Sequence, residues 1–183
     1  MRSLDYSIDA ADEARETLSG MDPDEPEAAV KRIMSSDAVF VAGAGRSLLM
    51  LKAFAMRLMH FGVCAHVVGE TATPAITERD LLIAASGSGE TETILVMARK
   101  AVSAGAFVVA VTANKSSSIA SIARELIIIP AGSKAGGAFS SRQPSGNSFE
   151  QSLLLVLDGM ALSIAGAHGI CLSENLRLHA NLE

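Results

Sequence analysis

Residues 80–91 read Asp-Leu-Leu-Ile-Ala-Ala-Ser-Gly-Ser-Gly-Glu-Thr, a short apolar run that breaks into glycines and hydroxyls. The run from Asp80 to Ala85 has the length of a strand and no polar alternation, as a strand buried on both faces requires. Helical periodicity then holds from about 90 to 103. Ser86 to Thr91 is therefore a strand-to-helix turn. The same grammar occurs earlier. Asp37 to Gly43 is a buried strand, Gly43-Ala44-Gly45-Arg46-Ser47 is its turn, and Ser47 to Phe61 is a helix. Working outward, Val63–Val68, Ala106–Thr112 and Glu125–Ile129 are three more strands, with a short helix from about Ser117. Strands alternating with helices form parallel βαβ units, and right-handed crossovers give an open doubly wound sheet. The expected α/β fold is a five-stranded parallel sheet in the flavodoxin-like order 2-1-3-4-5, flanked by helices.

The flanks fit one domain. Residues 1–36 hold two helices, 4–19 and 26–35, split by Met21-Asp22-Pro23-Asp24-Glu25-Pro26, and they pack on the main domain of 37–183. Ala131 to Asn147 is a long loop of glycines and serines, a length that in a compact domain usually serves function. An apolar helix follows at about 148–168.

Composition narrows the function. The 183 residues are 49% hydrophobic but only 4% aromatic, so the core is built of Ala, Val, Ile and Leu. A net charge of -5, with no Lys/Arg cluster, argues against nucleic acid. There is no unbroken run of ~20 apolar residues as a membrane span would show, and the first five residues do not open a signal peptide. A cytoplasmic location is expected. Cys64 and Cys171 sit among apolar neighbours and are expected to be buried thiols. Met56 and Met59 are expected in the core, and His60 as a satisfied helix-end histidine. A stripe of Phe54, Leu58 and Phe61, with the apolar helix 148–168, exceeds what one small domain needs to bury and predicts a dimer or tetramer.

Both turns place glycines and hydroxyls at a helix N-terminus, where unpaired N–H groups and the helix dipole favour an anion such as phosphate. In the expected order, strands one and three are neighbours with their helices on opposite faces, so both turns open into one crevice. Gly43-Ala44-Gly45 begins like a dinucleotide fingerprint, but its third glycine position is Leu48 and the second turn has no part in that scheme. No Walker sequence is present. Ser47, Ser86, Gly87, Ser88, Gly89, Glu90 and Thr91 are the candidate phosphate ligands. For chemistry the candidates are Arg46, Glu90, Glu150, His60 and His179. Glu150 follows the long loop in the first turn of the apolar helix, where a carboxylate can act as general base. Glu90 can instead be a helix-start residue, and His179 lies in a short terminal tail.

The two turns and their order resemble the sugar isomerase (SIS) domain family. Phe54-Ala55-Met56-Arg57-Leu58-Met59-His60, Val67-Val68-Gly69-Glu70-Thr71, Phe149-Glu150-Gln151 and the terminal His179-Ala180-Asn181-Leu182-Glu183 are similar to the 6-phospho-3-hexuloisomerases within it. The resemblance implies interconversion of 3-hexulose 6-phosphate and fructose 6-phosphate, the second step of formaldehyde fixation in the ribulose monophosphate pathway. It implies a sugar-phosphate substrate, no metal or organic cofactor, functional coupling to a 3-hexulose-6-phosphate synthase, and a homotetramer with sites near subunit interfaces. By position, Ser47, Ser86, Ser88 and Thr91 would bind phosphate and Glu150 would be the base. His179 would reach a site, in its own or a neighbouring subunit. Two segments depart from the family: Leu48 stands where glycine is usual, and Pro144 to Ser148 replaces a Pro-Met-Gly-Ser approach. The alternatives are another SIS-type aldose–ketose isomerase and a non-catalytic sugar-phosphate sensor.

Overall fold

The computed structural model describes residues 2–132 and 141–170. Two helices open the chain, α1 (Ser3–Ser19) and α2 (Asp24–Ser35). The alternating part follows as β1 (Val39–Gly43), α3 (Gly45–His60), β2 (Ala65–Val67), β3 (Leu81–Ala85), α4 (Glu92–Ser103), β4 (Phe107–Thr112), α5 (Ser118–Ile122), β5 (Glu125–Ile128) and α6 (Asn147–Ala167). All four strand pairings are parallel, in the order β2-β1-β3-β4-β5, as the alternation predicted. Helix α2 begins two residues earlier than expected. Pro26 falls in its first turn, where a missing N–H costs nothing because those groups have no helical partner.

The strands divide their side chains between two cores. Val39, Val41, Leu81, Ile83, Val109, Val111 and Ile127 face α2, α3 and α6. Phe40, Ala42, Leu82, Ala84, Val108 and Ala110 face α4 and α5. This two-residue period puts α3 and α4, the helices after β1 and β3, on opposite faces. Gly43 and Ala85 are paired at the carboxyl ends of those strands, so the two turns leave the sheet side by side. By length and composition α6 could cross a membrane, but half of its apolar stretch is buried in the protein. Phe149, Leu153, Leu157, Met160 and Ile164 lie in the core with α3.

Three expectations about packing are corrected. Phe54, Leu58 and Phe61 do not form an exposed stripe. They face α6 and the sheet and are buried within the chain, because helix α6 already covers that side of α3. Met56 and Met59 occupy the opposite side of α3 and are exposed, not core. Cys64 is also exposed, because it precedes the three-residue edge strand β2 rather than lying within the sheet. Cys171 falls outside the described residues. Exposed apolar side chains include Leu49, Met56 and Met59 of α3, Leu4, Tyr6 and Ile8 of α1, and Leu155 and Leu162 of α6.

Candidate functional site

A crevice of about 230 Å³ opens between the turn after β1, the turn after β3 and the start of α6. Ser47, Gly87, Ser88, Ser145, Gly146, Phe149 and Glu150 line it, with Ala113 and Gly132. A larger apolar groove of about 870 Å³ runs between α1 and α6. It contains neither turn. Helix ends and polar groups converge at the smaller crevice, which makes it the candidate site.

Helix α3 starts at Gly45, two residues earlier than the sequence suggested, so Arg46 and Ser47 both stand in its first turn. No side chain caps α3 at Ala44, α4 at Thr91 or α6 at Gly146. Their first N–H groups therefore keep free donor capacity, and α3 and α6 carry it at the crevice. Ser47 is nearly buried on the crevice wall. Ser88 lines it too. Its Oγ accepts the Glu90 N–H at 3.2 Å, which leaves its own proton to donate.

Ser86, Gly89, Glu90 and Thr91 build the second turn rather than line the crevice, and Gly87 does both. Ser86 is buried, its Oγ accepts the Gly89 N–H at 3.1 Å, and it pairs with the Thr91 hydroxyl at 2.9 Å. Gly89 has φ +72°, and a β-carbon there would lie 2.1 Å from Ser117 Oγ. The Gly87 carbonyl accepts the Ala113 N–H at 3.1 Å and the Thr112 hydroxyl at 3.3 Å. Glu90 is not a helix-start residue. It precedes α4, and its Oε1 accepts the Ser118 N–H at 2.8 Å, capping α5 on an exposed surface. The Ser118 side chain and N–H hold its carboxyl below the usual glutamate range. These bonds tie the turn to the β4–α5 segment and fix the backbone around Ser88.

The structure brings Arg46 and Glu150 together, although 104 residues separate them. Arg46 Nε donates to Glu150 Oε2 in a close ion pair at the crevice. Arg46 is about half exposed and Glu150 largely covered. Exposed pairs are worth only about 0–1 kcal/mol of stability, so the arrangement matters for placement of charge. Glu150 Oε1 rests against Gly146, 3.3 Å from where a β-carbon would stand. Gly146 itself has φ +95°, a conformation that suits glycine. His60, the other histidine weighed for chemistry, is buried at the end of α3 and absent from the crevice lining. His179 lies outside the described residues. Among the described residues, no group of three His, Cys, Asp or Glu side chains could hold a metal.

Sequence reasoning did not single out Ser145, Gly146 or Phe149 as lining. Phe149 could have been found from Gly87. Its ring lies 3.1 Å from where a β-carbon on that glycine would be, so the glycine makes room for the aromatic.

Residues 32–155 match the model of the SIS domain family. The chain is 40% identical over 185 residues to 3-hexulose-6-phosphate isomerase of Bacillus subtilis, with all of both chains covered. It is 43% identical over 173 residues to the enzyme of the same name from Mycobacterium gastri, covering 94% of this chain and 87% of that one. A solved structure from Methanococcus jannaschii, described as inferring a molecular function of 3-hexulose-6-phosphate isomerase, superimposes with a TM-score of 0.84 at 30% identity over the full length of both chains.

Proposed function

This chain belongs to the SIS domain family, and from that premise we propose that it isomerises D-arabino-hex-3-ulose 6-phosphate to D-fructose 6-phosphate. The observation that carries the proposal is the Arg46–Glu150 pair at the mouth of a crevice walled by both phosphate-type turns. The relatives' names supply the substrate.

The reaction moves a carbonyl from C3 to C2. A base must take the C2 proton, an enediolate forms across C2 and C3, and a proton is returned to C3. Glu150 is the base. As it takes the proton, negative charge leaves its carboxylate and appears on the substrate oxygen. Arg46, already beside that carboxylate, meets the charge where it develops. Ser47, Ser88 and the N–H groups of the turns hold the phosphate, and that binding energy keeps the reacting carbons in register. Ser86, Gly87, Gly89, Glu90 and Thr91 serve binding by holding the second turn in shape. His179, from its own or a neighbouring subunit, is assigned as an acid or, in the reverse direction, as the group that opens the fructose 6-phosphate ring.

The exposed apolar residues of α1 and α6, beside the groove between those helices, suit contact with further copies of the chain. A homotetramer with sites near its interfaces is the assembly proposed. The enzyme works in the cytoplasm without a metal or organic cofactor, and a 3-hexulose-6-phosphate synthase supplies its substrate. Residues 1–36 act as a helical addition to the sugar isomerase domain.

Glu150→Gln tests the mechanism. It retains shape and removes the base, so kcat should fall roughly 100- to 10,000-fold with little change in KM. A variant with near-normal kcat removes Glu150 from the mechanism.

A further inference from the structure

Helix α1 lies outside the alternating sheet, yet one of its side chains reaches the segment that shapes the crevice. That segment runs from Ser141 into α6 and carries Ser145 and Gly146 on the crevice wall. Several of its bonds are local. Gln143 N–H donates to Ser141 Oγ at 3.1 Å, Asn147 N–H to the Pro144 carbonyl at 3.0 Å, and Glu150 N–H to the Gly146 carbonyl at 3.0 Å. Glu13 supplies a tie to another element. Its Oε2 accepts the Arg142 N–H at 3.4 Å, and the Ser141, Ser148 and Gln143 side chains gather around the same carboxylate. Ser148 Oγ and Gln143 Nε2 in this cluster are buried and have no partner at hydrogen-bond geometry among the described residues.

The consequence for Glu150 is geometric. Its Oε1 rests on Gly146 and its N–H on the Gly146 carbonyl. A shift of this backbone therefore carries the carboxylate with it. We propose that Glu13 is a positioning residue for the isomerisation: from α1 it clamps residues 141–143 and so holds Glu150 at its working distance from the substrate. The inference rests on the reading of the chain as an isomerase with Glu150 as base. A carboxylate suits the task because it has acceptor sites for several donors and nothing to donate. A glutamine has one acceptor oxygen, and its NH₂ would face donors.

Glu13→Gln should lower kcat roughly 10- to 100-fold, since small misplacements of reacting groups carry losses of that order. KM should stay within about twofold of wild type, because Ser47 and Ser88 lie on other segments. Backbone amides of 141–150 should exchange hydrogen faster, while those of the sheet are unchanged. Asp12→Asn, an exposed change on the same helix, should match wild type in both measurements. A role in stability alone would lower the unfolding temperature and leave kcat per folded molecule intact, and that result overturns the proposal. So does a rise in KM at constant kcat. If Glu13→Gln does not fold, Glu13→Asp, whose carboxylate stops one methylene short, must show the same loss of kcat. An inactive wild type defeats the functional reading and this inference with it. An active wild type with a fully active Glu13→Gln defeats the inference alone.

Discussion

Replacing Gly89 with alanine separates the two physical demands on the second turn. The residue sits at φ +72°, and a left-handed backbone costs an L-residue about 1–2 kcal/mol. The new methyl would also lie 2.1 Å from Ser117 Oγ, 2.3 Å from Ser117 Cβ and 3.0 Å from Thr112 Oγ1. None of these contacts is the free end of a long side chain, so the α5 cap must move, and overpacking of this kind costs about 1–3 kcal/mol. For a chain of this length each kcal/mol shifts the unfolding midpoint by about 2–4 °C, so Gly89→Ala should lose roughly 4–20 °C. Gly45→Ala is the matched control. It has φ +55° and open space around the new methyl, so it carries the backbone cost alone. Thermal unfolding of both variants, followed by circular dichroism, checks the difference. Because Gly89 N–H bonds to Ser86, Gly89→Ala should also raise KM. Equal midpoints for the two variants, or a Gly89→Ala protein with wild-type midpoint and KM, would refute the packing argument.

Gly87→Ala should leave stability within about 1 kcal/mol and raise KM, because its methyl presses the Phe149 ring on the crevice wall and a ring can tilt; a titration with substrate checks this. Ser88→Ala should raise KM by a factor equivalent to roughly 1–3 kcal/mol with kcat nearly intact, and steady-state kinetics with unchanged KM would remove Ser88 from phosphate binding. Stability should depend on pH through Glu13. Burial pushes its carboxyl up, but Ser141, Ser148, the Arg142 N–H and Gln143 around it outweigh that and hold it below the usual glutamate range. A folded value below the unfolded one means the contribution is complete above the ordinary glutamate range and is lost as pH falls through the lowered value. Denaturant titrations of wild type and Glu13→Gln should therefore converge in acid and separate towards neutral pH, with Asp9 and Arg142 of the same groove common to both. Parallel curves would contradict the assignment.

The strand order was legible because the buried strands read as apolar runs closed by glycine, a hydroxyl or, after Ile129, proline, and because βαβ units allow few topologies. The crevice was legible for the same reason: it lies where β1 and β3 end side by side. What escaped the sequence depends on contacts between distant segments. Nothing local to Glu90 shows that its carboxylate caps Ser118, and nothing near Ser86 shows that its hydroxyl turns inward to Gly89. Phe54, Leu58 and Phe61 read as surplus apolar area in the sequence because a helix pattern shows which side is apolar but not what covers it. Helix α6 covers it. The pairing of Arg46 with Glu150 and the reach of Glu13 to Arg142 are likewise properties of the folded chain alone.

The most direct test of the account is isomerisation in deuterium oxide. Wild-type protein is supplied with 3-hexulose 6-phosphate, and the fructose 6-phosphate formed is examined by NMR. A carboxylate that takes the C2 proton, exchanges it with solvent and returns one to C3 predicts rapid turnover, with deuterium at C3 of the product. Loss of that turnover in Glu150→Gln would complete the assignment. Failure of the wild-type protein to form fructose 6-phosphate, at any enzyme concentration at which it is folded, would contradict it.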